Sequence, residues 1–80
     1  MLSSPILFME TKFYSVYAGH YSSPKIPKSD AAKLKEMGFT PYVFAVKDGY
    51  SLKVFSTPKL DLAQNVVSKI IRNGIGAWWE

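Results

Sequence analysis

Near the middle of the chain, two runs rich in β-branched and aromatic residues, 41–46 and 50–55, flank Lys47-Asp48-Gly49. An Asp-Gly pair between such runs marks a tight hairpin, because few residues accept the backbone angles that a short reversal needs. The two runs are therefore read as antiparallel neighbours, and the rest of the chain must arrange itself around them. Upstream, residues 13–21 alternate, with Tyr14, Val16 and Ala18 on one side and Phe13, Ser15, Tyr17 and Gly19 on the other. That period of two specifies a first strand. Ser22, Ser23, Pro24 and Pro27 interrupt it, and residues 28–37 read as a helix closed by Gly38, with Phe39 placed for the apolar contact of that cap. Downstream, Thr57-Pro58 offers an N-cap and a first-turn proline, after which Ala63, Val66, Val67, Ile70 and Ile71 share one helical face. Gly74 ends this second helix, and residues 75–79 are short enough for a last strand.

The order βαββαβ specifies an α+β fold of the ribonucleoprotein or ferredoxin-like kind, a four-stranded antiparallel sheet with two helices on one face. Eighty residues, 48% of them hydrophobic, suffice for one such domain and not for two. The domain is placed at residues 13–80. Residues 1–12 read as a linker remnant or an extra segment, in which the apolar run 5–9 is far shorter than the ~20 residues of a membrane span and follows no basic region like that of a signal peptide. With Tyr14, Val16 and Ala18 turned toward the helices, pleat alternation turns Phe13, Ser15, Tyr17, Tyr42, Phe44, Ser51, Lys53, Phe55 and Trp78 to the open face. A slip of one residue would invert every one of these assignments.

Function follows from what that face offers. Tyr17, Phe44, Phe55 and Trp78 supply stacking platforms for sugars or bases, and Ser15, Ser51 and Lys53 supply polar contacts. On this reading Tyr17→Ala weakens binding and leaves the fold intact. Catalysis is disfavoured: there is no Cys, His20 is the single histidine, and Asp30, Glu36, Asp48 and Asp61 are not brought together on the open face as glycoside hydrolysis requires. The same shortage of Cys and His leaves no metal site, and nothing in the chain calls for a cofactor. A formal charge of +4 favours anionic partners, although the lysines are dispersed along the chain.

The segment Tyr14-Ser-Val16-Tyr17-Ala-Gly19-His-Tyr21 resembles the opening motif of the sporulation-related repeat (SPOR-like) domains, with Tyr17 where the motif has glutamine. The likeness continues through Ala32-Lys-Leu34-Lys-Glu-Met-Gly38-Phe39, Gly49-Tyr50-Ser-Leu52-Lys-Val54 and Gly74-Ile75-Gly-Ala77, and covers residues 13–79. This resemblance implies the same βαββαβ sheet and a non-catalytic module that holds peptidoglycan glycan on its open face. In size and pattern the chain is also similar to the C-terminal wall-binding domains of clostridial phage endolysins. That likeness implies a parent peptidoglycan hydrolase, a lysozyme-like glycosidase or an amidase, which lyses the host and carries its catalytic residues elsewhere. It further implies synthesis in the host cytoplasm, action at the wall, and association with a second copy or with the full-length parent.

Two other readings compete. A single-stranded nucleic-acid binder has the same topology, but residues 50–55 lack the glycine and the aromatic spacing of the RNA-recognition signature. A self-associating structural or regulatory module would use Phe44, Phe55 and Trp78 as interface anchors instead of sugar platforms.

Overall fold

The computed structural model describes residues 12–80; of the expected N-terminal linker segment, all but Lys12 lies outside the described residues. The elements are β1 (Tyr14–Tyr21), α1 (Lys28–Glu36), β2 (Tyr42–Val46), β3 (Gly49–Thr57), α2 (Leu60–Arg72) and β4 (Ala77–Trp79). They form one antiparallel sheet in the order β2-β3-β1-β4, which is the expected ferredoxin-like α+β fold. The hairpin sits where Asp48-Gly49 placed it: Val46 pairs with Gly49 across a two-residue turn in which Asp48 has φ of 68°. Asp is among the few residues with a side chain that tolerate that region.

Both helices end in the same device. At the end of α1, Gly38 N–H donates to the Lys35 carbonyl and Phe39 N–H to that of Leu34, at 3.0 and 3.1 Å. At the end of α2, Gly74 and Ile75 N–H donate to Ile71 and Ile70 in the same pattern. Gly38 and Gly74 have φ of 95° and 89°, where a side chain would be strained. In each case the residue after the glycine, Phe39 or Ile75, turns back onto the core and leads into a strand at the edge of the sheet.

That core lies between the helices and one side of the sheet. Val16 and Ala18 from β1, Leu52 and Val54 from β3, Leu34 from α1, and Ala63 and Ile70 from α2 are buried together with Ile75. A fully buried aliphatic side chain of this size contributes about 1.5 to 3 kcal/mol. At the far end of β1, the Tyr21 hydroxyl donates a 2.6 Å hydrogen bond to Asp30 Oδ2 and so ties the strand to α1. Burial, followed by the hydrogen bond to Asp30 and its negative charge, pushes the Tyr21 hydroxyl above its ordinary pKa of 10.0.

Two expectations about α2 are corrected. Thr57 is not its N-cap: it stays in β3, buried and paired with Tyr14, and its Oγ1 accepts a hydrogen bond from Lys59 N–H at 3.1 Å. The helix starts at Leu60 with Lys59 in the cap position, which puts Pro58 outside it. The strand pairing holds Thr57 extended, so the chain cannot turn helical until it has left the sheet. Ile71 is the second correction. Ala63 and Ile70 are at the centre of the buried arc, Val66 and Val67 at its margins, and Ile71 beyond it, 52% exposed. Among the described residues no helix is long and apolar enough to cross a membrane.

Candidate functional site

The face of the sheet opposite the helices is ordered in rows that run across the strands. Tyr42 of β2 pairs with Lys53 of β3, Lys53 with Tyr17 of β1, and Tyr17 with Trp78 of β4, which makes one continuous row of four side chains. On one side of it lie Ser56, Ser15 and Glu80. Ser15 and Glu80 exchange both backbone hydrogen bonds at 2.9 Å, and the Ser15 and Ser56 hydroxyls are 3.2 Å apart and bonded to each other. On the other side, Phe44 stands opposite Ser51.

Three rings close over the centre of this face. Tyr17 stacks on Trp78 with centroids 5.7 Å apart and planes 23° apart, and meets Phe44 at 5.6 Å and 44°. Such offset and tilted arrangements are the favoured geometries for aromatic pairs. Tyr17 and Phe44 belong to strands that are not adjacent; they touch because the residue of β3 beneath them is Ser51, whose small side chain leaves the space. Tyr17 ends up 7% exposed with neither α1 nor α2 above it, whereas Phe44 and Tyr42 keep 39% and 54% of their surface. Lys53 leans over Phe44, its Nζ 5.4 Å from the ring centroid, a cation–π contact. At the β4 edge, Trp78 Nε1–H donates to Glu80 Oε2 at 3.2 Å.

Ser51 itself is fully buried. Its hydroxyl hydrogen is shared between the carbonyls of Gly19 and Ala18, at 2.8 and 3.1 Å. Those carbonyls are available because β1 carries an extra residue here: between the pairs Ala18↔Leu52 and Tyr21↔Tyr50, Gly19 and His20 face Ser51 alone. Gly19 has φ of 72°, and a Cβ there would run into the Tyr21 ring. The serine expected to meet a ligand thus serves the backbone, and its polar group is already satisfied.

Phe55 is also corrected. The register steps from Val16↔Phe55 to Tyr17↔Lys53, so β3 contains one residue more than β1 at this point. This bulge at Val54-Phe55 reverses the alternation, and Phe55 turns to the helix side, where it packs on the core and lies 6.1 Å from Phe39. Phe13, expected to face outward, is 58% exposed just before β1 begins. Of the expected contacts, the fold brings Tyr17, Phe44, Trp78, Lys53 and Ser15 together on one surface. Neither Phe55 nor the hydroxyl of Ser51 is available there. No family model, curated protein or solved structure matches the chain.

Tyr42 lies on the open face as expected and adds a third exposed ring to it, and Ser56 and Glu80 join it as well. Ser56 follows from strand alternation once the bulge is counted; for Glu80, outside any strand, the sequence carries no signal. Among the described residues there is no pocket and no group of three His, Cys, Asp or Glu fit to hold a metal. A ligand on this face would lie across several strands, stacking on Tyr42, Phe44 and Trp78 and hydrogen-bonding to Lys53, Ser15 and Ser56.

Proposed function

We propose that the open face binds bacterial cell-wall glycan and that the chain is a non-catalytic wall-targeting module, of the kind that directs a phage endolysin to the wall it cleaves. The observation that carries this reading is the cluster of Trp78, Tyr17 and Phe44, packed across three strands on a face that no helix among the described residues covers. Apolar faces of pyranose rings stack on such surfaces, and the ammonium and hydroxyl groups beside the rings match the polar edge of a sugar. Tyr17 acts from beneath. Its ring faces are engaged by Trp78 and Phe44, so it sets their positions while Phe44, Tyr42 and Trp78 make the contact.

Co-sedimentation of the purified chain with isolated Gram-positive walls tests this, first at about physiological ionic strength and then at ~1 M salt, where the screening length falls from about 8 Å to about 3 Å. Binding that weakens but persists at high salt is the expected result, since stacking survives screening. Binding abolished by salt would replace glycan stacking with plain attraction to anionic wall polymer. No binding at either salt would overturn the proposal and leave self-association of the aromatic face as the reading to pursue.

A further inference from the structure

In the row Tyr42–Lys53–Tyr17–Trp78 the charged member sits on an inner strand, with a tyrosine on each side and its ammonium over Phe44. Lysines that protect a sheet from aggregation stand on its edges, and lysines that merely solubilise extend into water. Lys53 does neither: it is half-buried and held against a ring. Among the described residues the carboxylate on this face is Glu80, engaged by the Trp78 indole at the β4 edge, two strands from β3. Beside Lys53 in the next row stand the Ser15 and Ser56 hydroxyls, bonded to each other so that one donates to its partner and the other keeps its hydrogen to turn outward.

We infer that the ligand of this face carries an anionic group, a sugar-linked carboxylate or phosphate, which Lys53 receives with the free donor of the Ser15–Ser56 pair while Tyr42 and Phe44 take the adjoining sugar faces. This rests on the glycan reading and adds a selectivity to it. An ammonium whose stem is already packed loses little conformational freedom on binding, and its bond to an anion is stronger than one between neutral groups. The aromatic surround limits the water that would otherwise compete. A neutral glycan would offer this ammonium no anion and leave it the Phe44 ring alone.

Calorimetric titration of the full chain and of Lys53→Met, which keeps the apolar stem, separates the possibilities. The probes are peptide-free glycan strands with their lactyl carboxylates intact, the same strands with those carboxylates amidated, and free teichoic acid. Amidation should lower affinity about tenfold for the parent chain, and Lys53→Met should bind both strand forms as weakly as the parent binds the amidated one. If the parent chain binds intact and amidated strands equally, the anion inference is overturned and the glycan reading stands. Teichoic acid bound through Lys53, with both strand forms unbound, would keep the anion inference, make phosphate the group and overturn the glycan reading. If none of the three probes binds, both fall.

Discussion

The two faces of the sheet reach burial by different routes. On the helix side, Val16, Ala18, Leu52 and Val54 are covered by Leu34, Ala63 and Ile70, a layer supplied by other elements. On the open side, Tyr17 is nearly as well buried, yet its cover comes from Trp78 and Phe44, residues of the same sheet. Side chains can exclude water from one another when large rings converge over a small residue such as Ser51. The helix side is a core because it is enclosed. The open side is a core only at its centre, and the rings that cover the centre keep part of their surface open to whatever meets the face.

Paired substitutions test that difference. Ile70→Ala should cost about 3 kcal/mol, as a fully enclosed aliphatic does, and Tyr17→Ala about 2 kcal/mol, because exposed rings can collapse into part of the space it leaves. Urea denaturation measures both, and a Tyr17→Ala cost below about 0.5 kcal/mol would mean that the open face has no core of its own. The expectation that Tyr17→Ala spares the fold is therefore withdrawn. Tyr21→Phe should cost about 1 kcal/mol at neutral pH, for one hydrogen bond. Its pH dependence is more telling. The Tyr21 pKa is raised on folding, so its contribution is complete below the unfolded value of 10.0 and is lost as pH rises above it. Between pH 9 and about 11, the stability of the parent chain should fall more steeply than that of Tyr21→Phe, and parallel curves would remove the bond to Asp30 as the cause. Smallest in stability is Phe44→Ala, at about 1 kcal/mol or less for a part-exposed ring. The same change should weaken wall binding about tenfold in the co-sedimentation assay, a loss typical of an aromatic contact residue. Unchanged binding by a folded Phe44→Ala would take the contact away from this ring.

Most of the framework was legible in the sequence because it rests on local signals. Gly38 and Gly74 mark helix ends that only such residues close well, Asp48-Gly49 marks the turn, and alternation through Tyr14, Val16 and Ala18 marks the face of β1. What stayed hidden depends on partners distant along the chain. Nothing local distinguishes Val54-Phe55 from regular strand; the bulge exists because β1 offers one residue fewer at that point. Thr57-Pro58 has the form of a helix start, and pairing with Tyr14 overrides it. Ser51 looks like a surface hydroxyl in an alternating strand. Its burial needs rings from two other strands to close above it, and its hydrogen bonds need the extra residue in β1.

The bulge in β3 also sets which kinds of change the chain can absorb. Because Val54 and Phe55 both face the helices, deleting Val54 would restore simple alternation with Lys53 and Ser56 still on the open face and Phe55 still beneath the helices. Loss of one residue here is taken up at the bulge: the interior gives up one apolar side chain and the membership of the open face stays the same.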